Sequence, residues 1–150
     1  TLKKNNIKYY KNIENIYIVN TPIYFLNTGV YNNENDNSNV LYFIINNYKF
    51  LLMGDASKIR EKDILETYNL EDIDFLKIGH HGSNTSSSKE FIESINPKYN
   101  LISVGVDNKF NHPRKEVLKI LSNRKIYRTD KEGTIEIIIK KNKYKILTNS

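Results

Sequence analysis

Short apolar runs alternate along this chain with longer amphipathic segments. Runs rich in β-branched and aromatic residues predict strands, and apolar residues at helical spacing predict helices. The predicted strands are NIYIVN (15–20), IYFLN (23–27), VLYFIINN (40–47), YKFLLMGD (48–55), IDFLKIG (73–79), YNLISVGV (99–106), KIYRT (125–129), TIEIIIKK (134–141) and YKILT (144–148). The predicted helices are KIREKDILETYNL (58–70), capped by Ser57, SSSKEFIESI (86–95), capped by serine, and HPRKEVLKILSN (112–123), with Pro113 in its first turn.

The connections between these elements indicate the fold class. Asn46 and Asn47 predict a hairpin turn, Pro22 separates the first two strands, and residues 31–39 predict a polar loop. Further turns are predicted at DKEG (130–133) and at residues 141–143. From about residue 48 the order is β-α-β-α-β-α-β-β-β, which is typical of a sheet covered by helices. We therefore predict a single α/β domain over residues 1–150, with mixed strand directions.

Polar side chains follow three consecutive predicted strands at their ends. Asp55 follows the first, His80 and His81 follow the second, and the third leads to His112. These are all three histidines of the chain. In open α/β sheets, sites lie in the crevice beyond the carboxyl ends of the strands. We therefore expect Asp55, His81 and His112 to lie together at one edge of the sheet.

The residue types at this edge favour a metal or phosphate site. The chain has no cysteine, so any metal ion must use His, Asp or Glu, and neutral imidazole with carboxylate suits Zn²⁺ or Mn²⁺. Taken singly, the residues have simpler interpretations. Asp55 is equally typical of a helix N-cap, and His112 with Pro113 is typical of a helix start. The joint pattern favours a shared site.

Composition restricts the function less than the motifs do. The net charge of +6 favours a polyanionic partner weakly, since a solvated basic surface explains it as well. No apolar run approaches the roughly 20 residues of a membrane span, and no signal segment opens the sequence. We therefore expect no membrane contact from this chain itself, and the absence of cysteine leaves its compartment open.

Three motifs in the second half of the sequence carry a family resemblance. They are GHHGSNTSSS (79–88), SVGVDNKFNHP (103–113) and YRTDKEG (127–133), within a resemblance that covers roughly residues 34–138. With them the chain resembles the metallo-β-lactamase superfamily and, more narrowly, the hydrolase domain of ComEC-type competence proteins. The resemblance implies part of an αββα sandwich, a mixed sheet with flanking helices.

The resemblance also implies a chemistry and assigns roles to residues. It implies two divalent metal ions, Zn²⁺ or Mn²⁺, and phosphodiesterase or nuclease activity on DNA. Asp55 would bridge the two ions and His81 would be a ligand of one of them. His80 and His112 would act on the substrate as catalytic groups. Supporting polar residues that bind substrate would be Ser83, Thr85, Asn108 and Lys77.

One large departure from the family pattern concerns the metal ligands. Its members carry an early H-x-H-x-D-H motif, whereas the first histidine here is His80. We expect the chain to be the C-terminal part of such a domain; a degenerate relative is the alternative. Alone, it would bind metal poorly and hydrolyse little. Its expected partners are the missing N-terminal half of the domain, DNA in the complete protein, and a second copy bound through an exposed apolar face.

The expected location and two alternative functions complete the sequence-based hypotheses. Within a ComEC-type protein, the chain would lie on the extracytoplasmic side of the bacterial plasma membrane; otherwise it would be cytoplasmic or secreted. One alternative function is a non-catalytic basic α/β module that binds nucleic acid or a protein partner. The other is a hydrolase of a different phosphodiester or ester, because the fold alone does not select a substrate.

Overall fold

A computed structural model describes residues 13–26 and 28–149, and within them one large sheet of seven strands dominates the fold. The strands lie side by side in chain order. They are β1 (Asn15–Ile18), β2 (Thr21–Phe25), β3 (Leu41–Ile45), β4 (Tyr48–Leu52), β5 (Phe75–Lys77), β6 (Tyr99–Ile102) and β7 (Lys125–Arg128). Strands β8 (Thr134–Lys140) and β9 (Lys143–Asn149) form a separate antiparallel pair.

The pairing in the large sheet changes from antiparallel to parallel at β4. Strands β1 to β4 are antiparallel, whereas β4 to β7 are parallel. Antiparallel neighbours can be joined by tight turns, while parallel neighbours need a crossover that is usually helical. Asn46 and Asn47 both have positive φ, 47° and 68°, and form the predicted hairpin turn between β3 and β4.

The helices of the crossovers cover one face of the sheet. They are α1 (Lys58–Thr67), α2 (Lys89–Ile95) and α3 (Lys115–Ile120), and a single turn, α4 (Thr129–Glu132), follows β7. Apolar side chains of α1 to α3 pack on alternate residues of the strands. This buried cluster includes Leu51, Leu76, Ile78, Ile102, Ile64, Phe91, Ile92, Ile95 and Val117. It forms the main core.

The opposite face of the sheet carries a ladder of aromatic rings. Phe50, Phe75 and Tyr99 occupy matched positions on adjacent strands, with ring centroids 4.7 Å and 5.3 Å apart. Tyr144 of β9 meets Phe75 edge-on at 5.3 Å, and its hydroxyl lies 2.7 Å from that of Tyr99. The β8–β9 pair therefore covers this face. The result is the predicted α/β fold, a mixed sheet with flanking helices.

Three predicted boundaries are wrong in detail. Pro22 does not separate two strands but lies within β2, opposite Tyr17; the β2–β3 ladder begins only at Ile23, so the missing N–H of proline costs no hydrogen bond there. Pro113 precedes α3 instead of lying in its first turn. The predicted turn at 130–133 falls largely within α4. The last residue of the strand predicted at 23–27, Asn27, lies outside the described residues.

Exposed apolar side chains occur at the β1 edge of the large sheet. Tyr17 is 69% exposed, Ile18 57% and Val19 90%. An exposed edge of this kind can pair with another chain, so association of two copies stays a prediction. None of the helices found among the described residues combines the length and apolar character needed to cross a membrane.

The close packing of Gly82, in the loop after β5, against Pro113 can be tested by substitution. A Cβ at Gly82 would lie 2.6 Å from Pro113 Cβ, and φ is +81°. We expect Gly82→Ala to lower the free energy of unfolding by about 2 kcal/mol or more, because both strain and overlap must be relieved. Gly105→Ala is the matched control, since a Cβ there meets nothing within 4 Å. Urea unfolding of both variants measures the difference, and equal losses would contradict the packing argument.

Candidate functional site

The parallel strands β4, β5 and β6 end at one edge of the large sheet, and the loops that follow them form the candidate site. Asp55 follows β4, His80 and His81 follow β5, and His112 lies in the loop that follows β6. The ring centroids of His80 and His112 are 5.8 Å apart, and those of His80 and His81 are 6.4 Å apart. His81 in turn faces Asp55, so the structure brings the four side chains together.

Asp55 and His81 form the pair with the best-defined geometry. His81 Nε2 lies 3.8 Å from Asp55 Oδ1, and Nδ1 lies 2.6 Å from the carbonyl oxygen of Ser103. Because a carbonyl oxygen only accepts, Nδ1 carries a proton, and in the neutral ring the Nε2 lone pair is turned toward Asp55. Asp55 is not the N-cap of α1, because Ser57 caps that helix by accepting a hydrogen bond from the backbone N–H of Ile59.

His80 and His112 form the second half of the cluster. Thr85 Oγ1 lies 3.3 Å from His80 Nδ1. Partial burial lowers the pKa of His112 below its ordinary value, and the neighbouring His80, Arg114 and His81 lower it further. The neighbouring imidazoles and Arg114 therefore disfavour the protonated form of His112.

The backbone of His80 and His81 is held in an unusual conformation. Their φ values are 46° and 55°, in the left-handed region that costs a non-glycine residue about 1 kcal/mol or more. The backbone N–H of His80 donates to the Gly54 carbonyl oxygen at 2.9 Å, and Ser83 N–H donates to the His80 carbonyl oxygen at 2.9 Å. These bonds on both sides of the pair hold the turn that directs one ring toward Asp55 and the other toward His112.

The polar segment 31–39 supports Asp55, a role that sequence reasoning missed. Asp36 is only 1% exposed, and its Oδ1 accepts a hydrogen bond from Ser57 N–H at 2.7 Å. Ser38 Oγ accepts from Asp55 N–H at 3.2 Å, and a Cβ at Gly54 would lie 2.9 Å from Ser38 Cβ. The segment is thus packed against the strand end that carries Asp55. The sequence signal for this role was that Asp36 and Ser38 shortly precede the strand predicted at 40–47.

Glu61 was also missed, and it anchors the serine-rich loop. This α1 residue is 1% exposed, and its carboxylate accepts hydrogen bonds from the backbone N–H groups of Ser87 and Ser88, the latter at 2.8 Å. Burial raises the pKa of Glu61, although the Ser88 and Ser87 donors oppose that shift. The carboxylate therefore ties helix α1 to the loop that continues from the histidine pair.

The predicted substrate residues on this loop differ in exposure. Ser83 is 5% exposed, and its Oγ lies 3.0 Å from Thr85 Oγ1. Thr85 is exposed and also reaches His80. Thr85 is therefore the more accessible of the two hydroxyls, and the binding of substrate by either residue stays a prediction.

Asn108 lies in the loop between β6 and α3, and Lys77 is the last residue of β5. Asn108 Oδ1 accepts from His112 N–H at 2.9 Å, and its Nδ2 donates to the carbonyl oxygens of His112 at 2.7 Å and Gly105 at 3.1 Å. The amide of Asn108 thus shapes the loop that carries His112. Lys77 is half-buried on β5, where burial lowers the pKa of its amine and the charge of Asp55 opposes that effect.

The site supplies some, but not all, of the ligands that a metal ion needs. Asp55 and His81 offer a carboxylate and an imidazole whose tautomer is that of a metal ligand. Across residues 13–26 and 28–149, no group of three or more His, Asp or Glu side chains is arranged to hold a metal ion. A two-metal centre at this edge would need further ligands.

Comparison with known proteins finds three relatives that each match more than half of this chain. ComE operon protein 3 of Bacillus subtilis is 36% identical over 105 residues, which are 69% of this chain and 14% of that protein. Competence protein ComA of Neisseria gonorrhoeae is 34% identical over 107 residues, 69% of this chain and 15% of that protein. Recombination protein 2 of Haemophilus influenzae is 35% identical over 92 residues, 60% of this chain and 11% of that protein. No protein-family model matches the chain.

The raised pKa of Glu61 predicts a pH-dependent stability. The folded chain binds this proton more tightly than the unfolded chain, so the free energy of unfolding falls as pH rises above the ordinary value of 4.5 and through the folded pKa. Glu61→Gln removes this titration. We therefore expect the unfolding free energy of the unaltered chain minus that of Glu61→Gln to decrease with rising pH in urea unfolding series.

A matched control for this titration lies on the same helix. Glu66 is exposed, with 63% of its side chain accessible, and its partner is Lys62. Glu66→Gln removes a carboxylate from the same helix at an exposed position and controls for the loss of one charge. A Glu61→Gln difference that stays constant or rises with pH would contradict the assignment.

Proposed function

This chain belongs to the ComEC-type family of competence proteins, and we propose that within the complete protein it supplies part of a metal-dependent phosphodiesterase site that acts on DNA. A role in competence follows from the family membership. The chain matches only 11–15% of the length of these relatives. The hydrolytic step is therefore proposed for the complete protein, and the chain alone is expected to hydrolyse little.

The observation that carries the proposal is the pairing of Asp55 with an oriented His81. The Ser103 carbonyl oxygen fixes the proton on Nδ1, which leaves Nε2 directed at the carboxylate across 3.8 Å. A metal-ligating histidine usually donates its other ring N–H to a carbonyl or carboxylate oxygen, and His81 has this arrangement. Asp55 and His81 are the residues that would hold a divalent ion.

The chemistry that Zn²⁺ or Mn²⁺ supplies in such a centre is an activated water and a polarised phosphoryl oxygen. The residues of this chain would position the substrate. The ring N–H groups of His80 and His112 would donate hydrogen bonds to the phosphate, and Thr85 would orient the His80 ring. These groups lie beside the Asp55–His81 pair, so a phosphate held by them would adjoin the proposed metal position.

The fold supports assignment to the metallo-β-lactamase superfamily as part of this proposal. A mixed sheet with helices on one face and a second, smaller sheet on the other corresponds to part of an αββα sandwich. The further ligands of a two-metal centre would then come from another segment of the complete protein, which we expect to carry an H-x-H-x-D-H motif.

Substitutions in the complete protein test the assigned roles. Asp55→Asn should reduce DNA hydrolysis to background, because the carboxylate would hold both ions. His81→Ala should be nearly as damaging and should lower metal content. His80→Ala and His112→Ala should retain metal and lose rate by roughly 10²-fold or more. Metal analysis beside a DNA hydrolysis assay measures both effects.

The outcomes of these substitutions show which of the assigned residue roles is wrong. If His80→Ala removes the metal and His81→Ala does not, the two histidines have exchanged roles. If Asp55→Asn retains full activity, the metal-site assignment itself fails. Glu66→Gln, at an exposed position in the last turn of α1, is a control that should change neither metal content nor rate.

A binding measurement separates the enzyme from a non-catalytic basic module. The net charge of +6 predicts that DNA affinity falls with salt, with a slope set by the number of phosphates neutralised. Both functions predict this salt dependence. Only the phosphodiesterase predicts metal-dependent cleavage by the complete protein, so salt-dependent binding without cleavage would favour the module. Parallel assays on esters and other phosphodiesters test the remaining alternative.

A further inference from the structure

The loop between β6 and α3 presents an exposed aromatic ring at the rim of the candidate site. Phe110 is 59% exposed, although a phenyl ring in a folded protein is usually buried. Its ring centroid lies 5.9 Å from that of His112, with an angle of 28° between the two planes. The ring is therefore stacked beside an imidazole that we assign to phosphate binding.

Hydrogen bonds within the loop fix the backbone around Phe110. The side chain of Asn108 bonds to the backbone of Gly105 and His112, and the backbone N–H of Asn111 donates to the Asn108 carbonyl oxygen at 3.1 Å. These bonds close the loop on both sides of Phe110. The amide that positions His112 therefore also fixes the loop backbone that carries Phe110.

Positive charge accompanies the ring. Lys109 Nζ lies 5.3 Å from the centroid of Phe110, within cation–π distance, and Arg114 follows His112 by two residues. An aromatic platform together with cations that track a phosphate backbone is the usual composition of a single-strand nucleic-acid site. Duplex DNA keeps its bases inside the stack, so such a platform can engage only unpaired bases.

We propose that Phe110 stacks against an unpaired nucleobase of single-stranded nucleic acid, next to the nucleotide whose phosphate binds at His80 and His112. The inference rests on the proposed phosphodiesterase site for the position of the phosphate. It adds a residue that makes the site prefer single-stranded over duplex nucleic acid.

Oligonucleotide binding to the full chain tests this stacking without any catalysis. The probes are a fluorescent single-stranded oligothymidylate, the same oligomer with abasic sugars throughout, and a duplex of the same length, all measured by anisotropy with a metal chelator present. Phe110→Ala should weaken oligothymidylate binding roughly five- to a hundredfold. It should change binding of the abasic oligomer and of the duplex by less than about twofold.

Two further variants separate stacking from bulk hydrophobicity. Phe110→Tyr should retain affinity for oligothymidylate because it keeps the π face, whereas Phe110→Leu should lose most of it. Val106→Ala is the matched control, since Val106 is an exposed apolar side chain, 70% accessible, on the same loop. Thermal unfolding of each variant checks that the fold is retained.

A spectroscopic variant reports the contact directly. The chain has no tryptophan, so Phe110→Trp places a single indole at the site. Its fluorescence should be quenched by oligothymidylate and much less by the abasic oligomer. Val106→Trp places the indole on the same loop and should show little quenching with either probe.

The results that overturn the proposal differ from those that overturn the proposed function. Equal loss of oligothymidylate and abasic binding in Phe110→Ala, unchanged binding in that variant, or no binding of oligothymidylate by the unaltered chain would each reject the stacking. None of these readouts depends on hydrolysis, which is measured separately in the complete protein. Cleavage with no base-dependent stacking would reject only this inference.

Discussion

The candidate site depends on the contact between Gly82 and Pro113. The glycine ends the turn that carries His80 and His81, and Pro113 directly follows His112. Their approach leaves no room for a Cβ, and Arg114 N–H donates to the Gly82 carbonyl oxygen at 2.9 Å. Two loops from different strands are thereby fixed to each other. Without that contact the three imidazoles would belong to independent loops.

Much of the fold could be predicted from the sequence because its signals are local. Apolar runs rich in β-branched and aromatic residues indicated the strands from residue 40 onward, Asn46–Asn47 indicated the hairpin, and Ser57 indicated the start of a helix. The grouping of Asp55 and the histidines followed from a topological rule: parallel strands end at one edge. Each of these inferences needs only neighbouring residues and the element order.

The missed features depend on contacts between distant residues. Asp36 and Ser38 support the strand end at Asp55, and Glu61 of α1 binds the backbone of the serine-rich loop. A polar side chain that serves a remote backbone N–H has the same local sequence as a solvated one, so only the tertiary structure reveals it. Phe110 was missed for the converse reason: an apolar residue in a loop gives no sign of whether it is buried.

The order of the strands has a consequence for how the molecule is assembled. In the described part of the chain, the neighbours in the large sheet are also neighbours in sequence, so each strand can dock on an edge that already exists. A chain emerging from the ribosome could build this sheet by successive addition, with a single connection to close at each step. Among the described elements, the β8–β9 hairpin follows the whole of the large sheet in the chain. Until it docks, the aromatic rings of Phe50, Phe75 and Tyr99 stay open to water and to other nascent chains, which makes the interval before docking the one most vulnerable to aggregation.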